Sequence, residues 1–261
     1  MDIQISLVIP INNERKNIEE LTNEVLNAVG NYDSEIIYVD DGSTDDSLDL
    51  LKQLQEKHQN IRILSHSKNY GQSAALRTGI STATKDIIAV LDGDGQNDPA
   101  DIPKLIEALV NHSHVGMVIG HREKRRDNAW RRLSSRFAFV IRRFIFNDPI
   151  RDTGCGIKVF FREAYLTLPY FDHMHRYLPI LFRAAGYDVI ASNVNHRPRM
   201  SGHSHYGTLD RLANGIVDVL GVIWLLHRQQ KTQFSEIKPS ASATATAETT
   251  SKPSHNMTLA G

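Results

Sequence analysis

The sequence contains a single cysteine, Cys155, among 261 residues. No internal disulfide can form, which excludes a disulfide-stapled scaffold and removes any argument for an oxidising compartment. Net charge is missing too: 30 Lys and Arg balance 30 Asp and Glu, for a formal +0. Without a global field, nothing points to nucleic acid or to an acidic partner. Long apolar runs are also lacking. Met1-Asp2-Ile3-Gln4 enters the first strand with neither a basic region nor an apolar leader, so no signal peptide is expected. Leu212 to Leu226 is interrupted by Asn214, Gly215, Asp218 and Gly221. It falls short of the ~20 apolar residues that a spanning helix needs.

What is present is the composition of a globular domain, 41% hydrophobic and 23% charged. A core-forming domain is expected over residues 1–232, with 212–228 as an amphipathic or interfacial helical segment. Residues 233–261, rich in Ser, Ala and Thr, cannot bury a core and are expected to be a disordered tail. Charge is segregated locally: basic residues dominate from Arg122 to Arg143, and several acidic turns lie in the first hundred residues.

The periodicity alternates regularly. Ser6–Pro10, Glu35–Val39, Ile61–Leu64, Ile87–Leu91 and Val115–Gly120 read as buried strands. Between them, Ile18, Leu21, Val25 and Val29 recur at helical spacing. So do Leu48, Leu51 and Leu54, the stretch from Ala74 to Thr82, and Ile102, Leu105, Ile106 and Leu109 behind Pro99. Ser43 or Thr44 is the expected N-cap of the second helix. The second half is less regular: helices over 131–146 and 177–185, strands over 157–161 and 189–195, and a long polar loop from His196 to Gly207. The pattern predicts an α/β fold with a mixed, mostly parallel sheet flanked by helices.

Two strands end in acids. Asp92-Gly93-Asp94 follows a continuous apolar run, at the carboxyl end of a central strand, where open α/β sheets bind ligands. Two carboxylates with Gln96 beside them suit a hard divalent cation that a substrate phosphate completes. Asp40-Asp41-Gly42-Ser43 reads as a turn and helix start. It also offers Asp40 or Asp41 as acceptor for a nucleobase or ribose. A ligand with a base or sugar at one end and a diphosphate at the other fits both clusters.

In order along the chain, the motifs are Val8-Ile9-Pro10 with Asn13-Glu14, Val39 through Asp45, Asn69-Tyr70-Gly71-Gln72, and Asp92-Gly93-Asp94 with Gln96 and Pro99. Gly120-His121-Arg122, Asp152-Thr153-Gly154-Cys155-Gly156 and Arg199 through Tyr206 follow. This ordered set, covering about residues 3 to 230, resembles the family-2 glycosyltransferases of GT-A (Rossmann-like) fold, in their dolichol- or polyprenyl-phosphate mannosyltransferase-like branch. Three positions depart from the family pattern: Asn12 where an aromatic is usual, Gly95 where a bulky residue precedes Gln, and His205 where Lys often follows Ser.

The resemblance implies that Pro10, Glu14 and Asp41, with Asp40 and Gln72, line the nucleotide site. It implies that Asp92, Asp94 and Gln96 hold Mg²⁺ or Mn²⁺, and that Arg122, Arg132, Arg199, Ser204 and His205 grip phosphates. The implied reaction is inverting transfer of a hexose, mannose as first choice, from a nucleotide sugar to a polyprenyl phosphate. Asp152 is the candidate for orienting or deprotonating the acceptor. Because a polyprenyl chain stays in lipid, peripheral contact with the cytoplasmic face of the membrane is expected. The Arg-rich helix over 131–146 would provide it, unless Phe137, Val140, Ile141 and Phe144 are ordinary core.

Rival readings keep the fold and change the task. Another donor such as UDP-glucose, UDP-N-acetylhexosamine or an aminosugar nucleotide is one, and a non-lipid acceptor in cell-envelope glycan synthesis is another. A non-catalytic nucleotide-sugar binding protein is a third. Aspartyl-phosphate enzymes place their Asp-x-Asp near the N-terminus, a receiver module is half this length, and processive synthases carry a Gln-x-x-Arg-Trp motif absent here.

Overall fold

The computed structural model describes residues 3–122, 143–197 and 208–228. Seven strands form one sheet in the order β3-β2-β1-β4-β6-β5-β7. They are β1 Gln4–Ile11, β2 Asp33–Asp40, β3 Ile61–Ser65, β4 Ile87–Val90, β5 Val115–Arg122, β6 Lys158–Phe161 and β7 Asp188–Val194. The pairs β1/β2, β1/β4, β2/β3 and β5/β7 are parallel. Only β6 runs the other way, pairing antiparallel with both β4 and β5. This is the mixed, mostly parallel sheet of a GT-A fold.

Helices α1 Ile18–Val29, α2 Ser47–Lys57, α3 Gln72–Thr82 and α4 Ile102–Val110 follow β1 to β4 in turn. Short α5 Arg162–Leu166, then α6 Leu178–Ala184 and α7 Thr208–Arg228 follow later in the chain. The apolar stripes are where the periodicity puts them: Ile18, Leu21, Val25 and Val29 of α1 and Ile102, Leu105, Ile106 and Leu109 of α4 are all buried. In α2 the buried leucines are Leu50, Leu51 and Leu54, with Leu48 at the edge. That helix starts at Ser47 rather than behind Ser43 or Thr44. The reason is that Asn13 Oδ1 accepts the N–H of Thr44 at 2.8 Å and of Asp45 at 3.2 Å, holding them in a turn. Asn13 itself has φ 58, a left-handed conformation Asn tolerates.

Buried polar contacts fix the end of the sheet away from the acidic turns. Glu35 accepts from Ser6 Oγ at 2.6 Å, Thr84 N at 2.6 Å, Thr84 Oγ1 at 2.8 Å and Arg62 Nη1 at 2.5 Å. One carboxylate thus ties β1, β2, β3 and the entry to β4. Burial pushes this acid up, but the bonds outweigh it and hold it down at about 2.

Residues 1–218 form one compact unit and 219–261 a second, of which the final turns of α7 are described. Among the described residues no helix is long and apolar enough to cross a membrane. Of the helix expected over 131–146, only residues 143–146 are described; they are helical, and Phe144 is 91% exposed rather than packed in a core. The expected tail lies outside the described residues.

Candidate active site

The sheet order puts β1 between β2 and β4, so the two acidic strand ends flank one strand. Pairing of Ile11 with Asp40 and of Val8 with Val90 sets their levels. Between them lies a cavity of about 290 Å³, lined by Pro10, Ile11, Asn12 and Glu14 after β1, Asp41 after β2, Asn69, Gly71 and Gln72 before and in α3, and Asp92, Gly93 and Asp94 after β4. Four segments that are separate in sequence therefore share one wall.

Asp41 holds that wall together. Its Oδ1 accepts Tyr70 N–H at 2.9 Å and lies 2.7 Å from His66 Nδ1, while its Oδ2 accepts Gly71 N–H at 2.8 Å. Loop 66–71 is anchored on this carboxylate. The turn at Gly42 makes the approach possible: its φ is +65, and a Cβ there would fall 2.3 Å from the Lys68 carbonyl carbon. Asn12 donates its amide N–H to the Asp41 carbonyl at 2.8 Å. Asp40 faces elsewhere. It is 1% exposed, bonded to Ser43 N–H and the Ser65 hydroxyl at 3.3 Å each, and absent from the cavity lining. Glu14 lines the cavity and accepts from Asn17 Nδ2 at 2.6 Å.

On the other side, Asp92 accepts the Gln72 side-chain N–H at 2.7 Å, and Asp94 accepts the backbone N–H of Gln96 at 3.1 Å. Burial, then the charge of Asp94, pushes Asp92 above the usual carboxylate range, against the opposing pull of Lys158, Arg122 and Gln72. Two like charges on one partly desolvated wall are the electrostatic signature of a cation seat. The donor chemistry fits: two carboxylates give hard oxygens, leaving positions for a diphosphate to fill. Gln96 lies outside the cavity lining, and its carbonyl accepts Arg197 N–H at 2.9 Å. Among the described residues no group of three or more His, Cys, Asp or Glu is placed to hold a metal ion.

Arg122 and Asp152 pair with one another. Nε donates to Oδ2 and Nη2 to Oδ1, both at 2.7 Å, in the two-point geometry a guanidinium favours. The Arg122 backbone N–H adds a contact at 3.3 Å. Burial opposes the Arg122 charge, but Asp152 outweighs it, so Arg122 titrates above its ordinary value. Arg132, Arg199, Ser204 and His205 lie outside the described residues.

One buried group acting on Asp92 was not singled out in the sequence: Lys158. Lys158 donates to the Cys155 carbonyl and is 6% exposed. The signal for it was legible, a lone cation inside the apolar run Ile157 to Phe161. Asn69 belongs to a motif already named, and its side chain accepts Gly71 N–H at 3.0 Å.

With this geometry in hand, the comparisons with known proteins read clearly. The sequence profile described as Glycosyl transferase family 2 matches residues 6–168. A dodecaprenyl-phosphate galacturonate synthase of Rhizobium johnstonii is 33% identical over 234 residues, 86% of this chain and 68% of that protein. An undecaprenyl-phosphate 4-deoxy-4-formamido-L-arabinose transferase of Pseudomonas savastanoi is 33% identical over 221 residues, 83% of this chain and 64% of that protein. The chain thus spans about two thirds of the length of these curated relatives. Among solved structures, glucosyl-3-phosphoglycerate synthase from Mycobacterium tuberculosis, in complex with Mn²⁺, UDP and phosphoglyceric acid, shares the fold. Its TM-score is 0.64 at 20% identity, covering 88% of this chain and 80% of that one. A Pyrobaculum calidifontis mannosyltransferase solved with GDP-Man and Mn²⁺ also gives 0.64, at 18% identity, covering 89% of this chain and 66% of that one. The fold and the paired acids define a GT-A glycosyltransferase scaffold. The chain belongs to glycosyl transferase family 2.

Proposed function

We propose that this protein is an inverting glycosyltransferase that moves a sugar from a nucleotide donor to a polyprenyl phosphate at a membrane surface. The observation that carries the reading is the cavity that Asp92 and Asp94 line together with Pro10, Glu14 and Asp41. The names of its relatives, which act on dodecaprenyl and undecaprenyl phosphates, supply the acceptor class. Those names carry galacturonate and a formamido-arabinose, so an acidic or modified sugar becomes the first donor to test and mannose the second.

Asp92 and Asp94 would hold Mg²⁺ or Mn²⁺, which when bound supplies positive charge against the donor diphosphate. The chain's own residues do the rest by placement. The acceptor, a phosphate monoester with a second pKa of about 6, is already largely anionic near neutral pH. A strong general base is therefore dispensable, and orientation matters more. Asp152 has both carboxylate oxygens committed to Arg122, which suits it to aiming that guanidinium rather than taking a proton. Arg122 in turn would orient a phosphate, with Arg132, Arg199, Ser204 and His205 as further candidates for phosphate contact. Residues 1–232 would form the catalytic domain and 233–261 a tail. Binding to lipid would be peripheral, on the cytoplasmic face.

The test is transfer of labelled sugar to undecaprenyl phosphate in vesicles, with Mn²⁺ or Mg²⁺ and a panel of nucleotide-activated galacturonate, formamido-arabinose, mannose, glucose and N-acetylhexosamine. A lipid-linked product from one donor, lost with chelator or with Asp94→Ala, is the expected result. No product from any donor would favour a non-catalytic binding protein. Flotation of the protein with the same vesicles tests the peripheral contact, and a protein left at the bottom of the gradient would overturn it.

A further inference from the structure

Asp92 is gripped from two sides, by Gln72 on one oxygen and by the backbone at Gly156 on the other. Its Oδ1 accepts the Gln72 side-chain N–H at 2.7 Å. Gln72 is the first residue of α3, a helix pressed so closely on the sheet that a Cβ at Gly79 would fall 2.4 Å from Val8 Cγ1. On the opposite side, a Cβ at Gly156 would fall 2.1 Å from Asp92 Oδ2 and 2.5 Å from its Cγ. The same atom would lie 2.6 Å from Asn97 Nδ2. Asn97 is 3% exposed, with the Cys155 sulfur 3.7 Å from its Oδ1, so the wall behind this notch is solid. The carboxylate torsion of Asp is intrinsically broad. Contact on both oxygens narrows it before any ligand arrives, and an orientation fixed in advance is not charged against binding.

We propose that Gln72 and Gly156 are positioning residues: an amide donor on one oxygen and a bare backbone against the other fix the direction of the Asp92 carboxylate ahead of cation binding. The inference rests on the reading of Asp92 as a cation ligand. Gly156 is required here for close approach, since any side chain would have to turn Asp92 away or push Asn97 out of its buried place.

The experiment uses the full chain, stripped of metal, titrated with Mn²⁺ and followed by electron paramagnetic resonance and by the rise in Tm that Mn²⁺ produces. Gln72→Met keeps the length of the side chain and removes the donor. It should weaken Mn²⁺ binding about tenfold, as loss of a group that orients a metal ligand does, while the Tm of the metal-free protein stays unchanged. Gly156→Ala should weaken binding further and also lower the metal-free Tm; if it fails to fold, Gln72→Met decides alone. A merely structural role would show the reverse for Gln72→Met, a lower metal-free Tm with Mn²⁺ affinity intact. Wild-type affinity in Gln72→Met overturns the positioning role while leaving the cation reading in place. A wild-type protein indifferent to Mn²⁺ overturns both.

Discussion

Asp40-Asp41-Gly42 at the end of β2 and Asp92-Gly93-Asp94 at the end of β4 flank β1 on either side, and both offer two acids and a glycine. At the first, every carboxylate oxygen accepts a bond from its own chain: Asp40 from Ser43 and Ser65, Asp41 from Tyr70 and Gly71 with His66 alongside. At the second, Gln72 and the Gln96 backbone take one oxygen each of Asp92 and Asp94, and the two acids repel. At the first pair the bonds build a wall, and at the second one like charge stands beside another. On the proposed reading, the same residue type builds structure on one side of β1 and would hold a cation on the other.

That contrast can be broken by removing charge on each side. Asp94→Ala should cost about 10³ in transfer rate, the scale on which loss of preorganised charge stabilisation acts, with a Tm near wild type. Activity surviving under chelation would break the comparison outright. Asp152→Asn, which leaves the Arg122 guanidinium buried with half a partner, should lower unfolding free energy by about 3 kcal/mol in urea. A loss below about 1 kcal/mol would show the pair to be loosely held. Asp41→Asn turns an amide towards backbone N–H groups and should cost about 2 kcal/mol, seen as a fall in Tm before any change in Mn²⁺ binding. If Mn²⁺ binding fell first, Asp41 would belong with the cation acids.

A pH slope sharpens the stability side. Burial, then the charges of Lys158, Arg176 and His173, pushes His175 down to about 3. Its Nδ1 lies 2.7 Å from the Ser73 hydroxyl. Unfolded, the ring takes a proton near 6.5, while folded it resists until about 3. Stability should therefore fall between those values as pH drops, by up to about 1.4 kcal/mol per pH unit. Glu35 acts lower down: held at about 2 against an ordinary 4.5, its contribution is complete above 4.5 and fades as pH approaches 2. Urea melts across pH 3 to 7 should show the upper slope in wild type and not in His175→Gln.

The central sheet was legible because buried parallel strands announce themselves as uninterrupted apolar runs, as Ile87 to Val90 does. The cavity was legible because two such acidic strand ends occur in one parallel sheet, at its carboxyl edge. Local bonds were harder. Nothing in the sequence says that Asn13 claims the N–H groups of Thr44 and Asp45, so the start of α2 was expected too early. The division between Asp40 and Asp41 depended on which of them faced loop 66–71, a tertiary fact. Arg122 and Asp152 stand 30 residues apart, and read singly each looked like a group for the substrate; only the fold shows them bound to one another.

The reversed strand β6 has a temporal meaning as well. It slots between β4 and β5 and brings Gly156 against an acid 64 positions earlier in the chain (156 − 92). On a ribosome β1 to β4 emerge first, and the Asp92 side of the cavity stays open until the later strand arrives. The wall behind the Asp92 carboxylate would then close only once the chain through β6 has been made.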